Sequence, residues 1–281
     1  MTLFWHKLKK DPLALSALVI IFGVILLGIL APYIAPNDPL EPHLNEKFSA
    51  WSATYPLGSD HLGRCLLSRL LYGIRTTLFL ALLAMSLTIT LGTIFGLVAG
   101  FCRKVEESIM RLCDVMLSFP SELLILAVVG MLGAGIKHVI IANVIAKVAW
   151  YTRMIYSFVI LHRQKNYLLF SRVAGVSSWT IMRKHLFPFI VDDVVMLATL
   201  DTGWVILSIS ALSFLGLGVQ APTPEWGMML SEAKNVMSIY PLQMIPSGVA
   251  ILIVVAAFNF LGDSIRDALD PKHYLLPKSI V

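Results

Sequence analysis

The stretch TTLFLALLAMSLTITLGTIFGLVAGFC (residues 76–102) contains no charged residue, and it decides the class of the fold. A helix of about 20 apolar residues is long enough to cross the hydrocarbon core of a bilayer. Gly92, Gly96 and Gly100 recur at four-residue spacing, so they lie on one side of such a helix. Small residues in a stripe allow two helix backbones to approach closely in lipid. The stretch therefore predicts a membrane-spanning helix with a packing seam, either within the chain or against a partner.

The rest of the sequence has the same apolar character. It is 57% hydrophobic and 14% charged over 281 residues, whereas soluble domains are about 45–50% apolar and about a quarter charged. The basic residues do not gather in one patch with interleaved aromatic residues, which argues against a nucleic-acid partner. Apolar runs predict an all-α membrane protein with six transmembrane helices, at residues 13–30, 76–102, 115–136, 139–160, 189–217 and 244–262.

Lysine and arginine are distributed asymmetrically among the connections between these spans. If the N-terminus lies in the cytoplasm, the inner connections hold 14 of these residues and the outer connections hold 6. Cytoplasmic connections are enriched in Lys and Arg, so both termini are predicted to be cytoplasmic. The chain then divides into an N-terminal cytoplasmic segment with the first span (1–35), an extracytoplasmic segment with an amphipathic helix (36–75), a core of five spans (76–265) and a cytoplasmic tail (266–281).

The segment GSDHLGRC (residues 58–65) approaches the phosphate-loop pattern of nucleotide-binding proteins. It lacks the lysine that reaches the phosphates and the hydroxyl that holds magnesium. The predicted topology also places it outside the cytoplasm, away from ATP. We interpret it as a glycine turn before an amphipathic surface helix, with Arg64, Arg69 and Arg75 on the water-facing side.

Motifs of catalysis and of metal binding are absent from the sequence. There is no evident Ser/His/Asp or Cys/His arrangement and no His-Glu-x-x-His motif. The three cysteines, at positions 65, 102 and 113, form no Cys-x-x-Cys pair. The sequence therefore predicts no catalytic residue, no metal ligand and no enzymatic activity.

Several ionisable or polar side chains fall within the predicted spans. Asp193, Asp201 and Ser208 are spaced by eight and seven residues, so they lie on one face of the fifth span. Lys147 of the fourth span could pair with Asp201 or with Glu122, near the start of the third. A charge at the centre of a bilayer is costly and usually faces a cavity or a partner. These residues therefore form either a structural ion pair or the polar wall of a translocation path.

The connection between the last two spans contains two prolines, an acid and a Trp-Gly pair. This composition predicts a rigid folded loop, followed by a short helix at about residues 228–237. The loop would gate the outer mouth, meet a docking protein or cap the bundle. Its residues are Pro222, Pro224, Glu225, Trp226 and Gly227.

A polar hairpin, residues 163–188, separates the fourth and fifth spans and faces the cytoplasm in this topology. The sequence predicts two short helices around a turn at Gly175, with Ser177 or Ser178 capping the second helix and Pro188 ending it. Such a hairpin fits either a helix that lies among lipid headgroups or a docking element for a cytoplasmic partner. The apolar side of the second helix would consist of Trp179, Ile181, Met182 and Leu186.

The hairpin resembles the cytoplasmic loop E-A-A-x-x-x-G-x(9)-I-x-L-P in permease subunits of ATP-binding-cassette importers. Gly175 matches the glycine and Pro188 matches the proline of that pattern. The acid and both alanines of the pattern are missing. The residues that stand at the E, A, A, I and L positions are Leu169, Phe170, Ser171, His185 and Phe187.

Three further parts of the sequence resemble the dipeptide, oligopeptide and nickel branch of these permeases. YPLGSDHLGR (55–64) is similar to its P-L-G-T-D-x-x-G-R-D stretch, with Cys65 in place of the last acid. LSFLGLG (212–218) and PTPEWG (222–227) are similar to its L-S-F-L-G-L-G and P-x-P-x-W-G motifs. Residues 259–271 match its N-x-x-G-D-x-x-R-D-x-x-D-P motif. Shorter stretches, at 149–154, 197–201 and 241–244, look most like the second (C) subunit of nickel permeases.

The resemblance implies a type I importer permease fold and a non-catalytic subunit of a bacterial inner membrane. A homologous second permease would complete the path, two ATPase subunits would bind ATP and Mg²⁺, and an extracytoplasmic solute-binding protein would deliver the substrate. This chain would bind no cofactor itself. The hairpin would be the coupling helix, which docks on one ATPase through Leu169, Arg172, Ala174, Gly175, Arg183, Lys184, His185 and Pro188.

Three hypotheses for the transported species remain open at this point. The first is nickel, as the ion or a small chelate, and the second is a di- or oligopeptide. The third is a stand-alone channel or ion-coupled carrier, which the hairpin and the family motifs disfavour. A dedicated Ni²⁺ site favours nitrogen and sulfur ligands, but the methionines near the spans are dispersed, at 131, 154, 196 and 244. Selectivity would then lie mainly with the binding protein.

Overall fold

The computed structural model describes residues 7–163 and 165–269. Within these ranges the regular elements are helices, with one isolated β-bridge between Ser59 and Cys65, so the predicted all-α class is confirmed there. In chain order the main helices are α1 (Pro12–Ile34), α2 (Leu66–Phe101), α3 (Arg103–Leu117), α4 (Ser121–Leu132), α5 (Ile136–Arg163), α6 (Asn166–Val173), α7 (Ile181–Phe214), α8 (Trp226–Lys234) and α9 (Pro241–Leu269).

Five of these helices, α1, α2, α5, α7 and α9, are long and apolar enough to cross a membrane. The helix α1 begins with a favourable cap, because Asp11 Oδ1 accepts the Leu13 N–H at 2.9 Å and Pro12 occupies the first turn. The helix α2 begins at Leu66 rather than at Thr76, where the second span was predicted to start. The amphipathic helix predicted before that span runs into it through a π-helical turn at Arg75–Phe79.

The predicted third span over residues 115–136 is not one continuous helix. Residues 115–117 belong to α3 and residues 121–132 form α4, and the two helices are bent by 89° relative to each other. Pro120 stands at the break and cannot supply the N–H that a continuous helix needs. The 12 residues of α4 extend about 18 Å, against about 30 Å for a bilayer core. The helices α3 and α4 therefore form a broken span or a re-entrant loop.

The glycine stripe of α2 packs against α5 within the same chain. A Cβ atom on Gly92 would lie 2.5 Å from Tyr151 Cβ, and one on Gly96 would lie 2.8 Å from Ile155 Cβ. Gly100 meets Val159 in the same way, one turn further along. Side chains at these three positions would force the two backbones apart, which explains why glycine occurs at each of them.

The two ends of the bundle carry different structures. At one end, which we call the hairpin end, α5 leads into the hairpin, and Arg163 Nη1 donates to the Gly100 carbonyl at 2.9 Å. Asp11 and Ser264 hydrogen-bond there as well, so both ends of the described chain lie at the hairpin end. The opposite end, which we call the loop end, carries residues 35–65 and 215–240. The predicted tail beyond residue 269 lies outside the described residues.

Candidate functional site

The hairpin is built from α6, a glycine turn and the first turns of α7. Gly175 has a φ angle of +76°, a conformation that residues with a Cβ rarely adopt. The Ser177 hydroxyl then accepts the Thr180 N–H at 3.3 Å and caps the second arm. The predicted turn and one of the two predicted caps therefore coincide with the structure.

One side of the hairpin is anchored and the other is free. Leu168, Ile181 and Leu186 are fully buried against the bundle. Phe170, Val173 and Trp179 are 73%, 87% and 65% exposed. Trp179 was predicted to share the apolar side with Ile181 and Leu186, and the structure instead turns it outward. The hairpin thus offers an apolar surface that nothing in the described chain covers.

Pro188 does not end the second arm, contrary to the prediction. Residues Ile181–Leu186 form a π-helix, in which the Phe187 N–H bonds to the Met182 carbonyl. This wider turn leads into Phe187–Phe214 without a break. It ends just before Pro188, whose ring and missing N–H would disturb the interior of a regular α-helix. The second arm of the hairpin is therefore the first part of α7, and the two form one continuous helix.

The basic residues of the hairpin lie on its open side. Arg183 and Lys184 are exposed, and neither forms an ion pair with any described residue. Leu169 is 44% exposed, at the position of the family's acid, and Ala174 is exposed beside the turn. The side chain of Arg172 lies outside the described structure. The free face of the hairpin is therefore both apolar and positively charged.

A polar cluster lies halfway along α5 and α7. Lys147 Nζ donates to Asp201 Oδ1 at 2.9 Å, and these side chains are 15% and 19% exposed. The same ammonium lies 4.1 Å from the centre of the Trp204 ring, a cation–π contact. Of the two partners proposed for Lys147, the structure selects Asp201. This pair is electrically neutral and mostly buried.

Glu122 and Ser208 meet in a separate groove of about 270 Å³ beside this pair. Trp204 belongs to both places, since it contacts Lys147 and also lines the groove. Asp193 lies apart, two turns nearer the hairpin end, and is only half-buried. The structure thus brings four of the five predicted path residues into two adjoining sites. The groove is otherwise lined by Ile125, Leu126, Leu207, Ala211, Leu212 and Leu215.

The predicted rigid loop at the loop end is held by its acid, Glu225. This side chain is fully buried, caps α8 by accepting the Met228 N–H at 2.8 Å, and accepts the Thr77 hydroxyl at 3.0 Å and the Ser210 hydroxyl at 3.3 Å. Burial raises the pKa of Glu225. The helix α8 begins at Trp226, two residues before the predicted start.

The neighbouring residues of the loop fix its position on α2. The Trp226 indole N–H donates to the Leu70 carbonyl at 3.0 Å, and its ring covers Gly73 so closely that a Cβ there would lie 2.7 Å from it. The hydroxyl of Thr76 donates to the Pro224 carbonyl, and the preceding Pro222 follows a cis peptide bond. Gly227 lies directly against the backbone of α7 at Ser210.

Two arginines predicted to face water are buried instead. Arg64 and Arg69 are 2% and 1% exposed. Arg64 bonds to Asp60 at 2.6 Å and to Glu232 at 3.0 Å, and Arg69 bonds to Glu232 at 2.6 Å. The polar face of the first turns of α2, which contain Arg69, is covered by α8, which supplies Glu232. Only Arg75 of the three predicted residues is exposed.

Sequence reasoning missed this network, which we call the clasp (Asp60, Arg64, Arg69 and Glu232). A signal for it existed, because Glu232 follows Glu225 by seven residues and so lies on the same face of α8 as the buried cap. No cluster of three or more His, Cys, Asp or Glu side chains that could hold a metal ion occurs among the described residues.

Comparison with protein-family models gives two matches. Residues 88–273 match the model described as "Binding-protein-dependent transport system inner membrane component". Residues 1–50 match the model described as "N-terminal TM domain of oligopeptide transport permease C". The first match covers more than half of the chain and includes the hairpin and the groove.

Several curated proteins are similar over nearly the full chain. The nickel transport system permease protein NikC of Escherichia coli K12 is 40% identical, covering 91% of this chain and 92% of NikC. The metal-staphylopine import system permease protein CntC of Staphylococcus aureus NCTC 8325 is 39% identical over 95% and 92%. The dipeptide transport system permease protein DppC of Alkalihalophilus pseudofirmus OF4 is 37% identical over 95% and 88%.

Among solved structures, the fold is similar to a chain of the MetNI methionine ABC transporter in inward-facing conformations. The TM-score is 0.59 at 17% sequence identity, and the match covers 73% of this chain and 98% of that one. At this level of identity the likeness concerns the fold alone.

Proposed function

Because this chain belongs to the family of binding-protein-dependent transport system inner membrane components, we propose that its cargo is nickel, carried as the ion or as a small chelate. The family resemblance predicted from the sequence is thereby confirmed. The chain is a non-catalytic permease subunit of an ATP-binding-cassette importer. What it carries, how it is coupled to ATP and which residues line its path are the subjects of the proposal.

The hairpin is the observation that carries the proposed mechanism. Its free face exposes Phe170, Val173 and Trp179, and its second arm continues into α7 without a break. We propose that this face docks on one of two partner ATPase subunits, which bind ATP and Mg²⁺. When the ATPases close, the arm would move α7 as a rod and tip the bundle between its inward and outward states. A nearly complete shift needs about 5.5 kcal/mol of preference for one state.

The docking contact in this proposal differs from the usual pattern, because Leu169 stands in place of the family's acid. Arg183 and Lys184 are exposed on the second arm of the same hairpin, and Arg172 is close to Leu169 in sequence. We propose that these basic residues meet an acidic rim on the ATPase, while the apolar residues fill its cleft. His185, Ala174, Gly175 and Pro188 would shape the hairpin rather than supply charge.

The proposed orientation follows from the positions of the basic connections. The hairpin end, where both ends of the described chain meet, would lie in the cytoplasm, in accord with the excess of Lys and Arg there. The loop end, with the clasp and the Glu225 loop, would face outward and receive the solute-binding protein. A homologous second permease would lie against this chain in the membrane.

The proposed path follows the face shared by α4, α5 and α7. Glu122 and Ser208 line its groove, and the Lys147–Asp201 pair borders it. Asp193 would mark its cytoplasmic end. The second permease would close the open side of this face.

Nickel is favoured over peptides by the relatives at 40% and 39% identity, which are named for nickel and for metal–staphylopine. The alternative is a di- or oligopeptide, supported by the dipeptide relative at 37% and by the oligopeptide-permease model that matches residues 1–50. The two cargoes share the same mechanism, and the binding protein would select between them.

Reconstitution tests both levels of the proposal. The chain would be purified with the second permease, the ATPases and the binding protein, and placed in proteoliposomes. Uptake of radiolabelled Ni²⁺, with stimulation of ATP hydrolysis by the loaded binding protein, is the expected result. Uptake of a peptide pool but not of nickel would refute the cargo, whereas hydrolysis that ignores the binding protein would refute the coupling.

A further inference from the structure

The groove that contains Glu122 extends from just past the middle of the bundle to the loop end, where Leu215 lines it. Asp201 is at the centre of the Phe187–Phe214 segment, and Trp204 and Ser208 follow it by one and two turns. Trp204 contacts the Lys147 ammonium on one side and lines the groove on the other. Glu122 lies in the first turn of the short helix α4, just after the 89° turn, and its side chain is exposed on the open side of the groove.

The charge of Glu122 is not balanced within the described chain. None of the residues that line the groove is basic. The nearest cation of the neighbouring cluster, Lys147, already donates to Asp201 at 2.9 Å. No described residue forms an ion pair or a hydrogen bond with the Glu122 side chain. Glu122 is exposed in this chain alone, so its charge becomes costly once a second permease or lipid covers the groove without supplying a cation.

Resting on the proposed function, we infer that the Glu122 carboxylate recognises a positively charged group of the cargo as it passes this groove. The Ser208 hydroxyl, on the opposite wall of the groove, supplies a second polar contact. With a second permease covering the open side, the apolar remainder of the lining would lower the local dielectric and strengthen the attraction of the carboxylate. The site therefore selects for charge rather than for shape.

The same site cannot bind a bare metal ion tightly. One carboxylate and one hydroxyl supply too few ligands to replace the shell of a divalent cation. Among the described residues no third His, Cys, Asp or Glu stands near enough to complete a metal site. The cation therefore passes either as an intact complex with its own ligands or as the ammonium group of a peptide. Both sources present the same chemistry to Glu122.

The test uses the full importer in proteoliposomes, with Ni²⁺ alone and dialanine as separate probes. For whichever probe the wild type carries, E122D should transport within about threefold of wild type, E122Q about tenfold more slowly, and E122K more slowly still. The two probes distinguish a metal complex from an ammonium as the source of the charge. Glu107→Gln is the matched control, because this acid is exposed on α3 beside Arg111 and should leave uptake unchanged.

Two further measurements separate recognition from structure. In E122Q, ATP hydrolysis stimulated by the loaded binding protein should stay within about twofold of wild type, and the second permease should copurify. Uptake by E122Q at the wild-type rate would overturn the inference, as would equal losses in E122D and E122Q. Loss of the second permease from the E122Q complex would overturn it too, by making a residue of that subunit the partner. A wild-type complex without stimulated hydrolysis would instead refute the proposed coupling.

Discussion

The loop end and the mid-helix groove treat charged side chains in opposite ways. In the clasp, Arg64 and Arg69 are almost completely buried, and Asp60 and Glu232 balance their charges within 3.0 Å for the closest pairs. In the groove, Glu122 has no basic partner among the described residues. In the clasp, the charges are neutralised by side chains of the same chain. In the groove, the charge of Glu122 is not neutralised by any described residue.

This difference separates residues that hold the fold from residues that await another molecule. Ion pairs within the chain stabilise the fold even without a partner. Their removal should therefore lower the free energy of unfolding. A charge without a partner in the chain forms a favourable interaction only when a partner protein or cargo is bound. Its removal should therefore weaken binding or transport. The hairpin, with its free apolar and basic face, belongs with the groove on this criterion.

Breaking the clasp should have the largest effect. Glu232→Ala leaves two buried arginines with Asp60 as their single acid. Removing one partner of a buried ion pair costs about 3–5 kcal/mol. We expect a marked fall in the thermal unfolding midpoint and in the yield of folded protein, measured on the purified importer.

The control for this variant is Glu107→Ala, which breaks an exposed pair with Arg111 on α3. Exposed pairs contribute about 0–1 kcal/mol, so this variant should unfold close to wild type. Equal unfolding midpoints for E232A and E107A would show that the clasp does not stabilise the loop end.

Removing the free aromatic side chain of the hairpin should have the next largest effect, but on assembly rather than on folding. Trp179 is 65% exposed, so Trp179→Ala should leave the unfolding midpoint of the isolated subunit unchanged. If Trp179 anchors the ATPase contact, its truncation should weaken the contact by about 2 kcal/mol. The measurement is the affinity of the ATPase for the permease pair, with Glu107→Ala, an exposed residue outside the hairpin, as the control.

The sequence was sufficient for those features that depend on local pattern. Apolar runs located four of the long helices closely, and the four-residue glycine spacing located the α2 seam. Gly175 marked the hairpin turn because a positive φ angle is a property of the residue itself.

The sequence was not sufficient to predict which helix faces are exposed to solvent, because segments far apart in the chain determine this. The first turns of α2, which contain Arg69 and follow Arg64, are amphipathic. Nothing near them in the chain reveals that α8, about 160 residues later, covers their polar face. Pro120 signalled a weak point in the third span, but an angle of 89° depends on how α3 lies across α2 and α5. Tertiary contacts, rather than local preference, determine both outcomes.

The Lys147–Asp201 pair is neutralised within the chain, like the clasp, but it lies next to the groove. Its removal should have a smaller effect on stability than loss of the clasp. Its two side chains are 15% and 19% exposed, and their contact is direct at 2.9 Å. In a double-mutant cycle of Lys147→Met and Asp201→Leu, we expect a coupling of about 1 kcal/mol in unfolding stability. Transport is the second measurement: if the double variant is stable but inactive, the pair belongs to the path rather than to the packing.

The smallest expected effect is a pH dependence that originates in Glu225. Burial raises the pKa of this carboxyl in the folded chain, while its hydrogen-bond partners, Thr77, Ser210 and the backbone of α8, do not titrate. The folded state then binds the proton more tightly than the unfolded state. The resulting stabilisation is complete below the unfolded pKa and is lost as pH rises through the folded pKa.

Glu225→Gln removes this proton but keeps the shape of the side chain, so its stability should depend less on pH. We expect the unfolding midpoint of the wild type, minus that of E225Q, to decrease as pH rises from the ordinary carboxyl range. The midpoints would be measured at fixed ionic strength, with Glu107→Gln as the exposed control. A difference that does not change with pH would mean that Glu225 keeps an ordinary pKa despite its burial. The loop end would then tolerate a buried ionised acid through its hydrogen bonds alone.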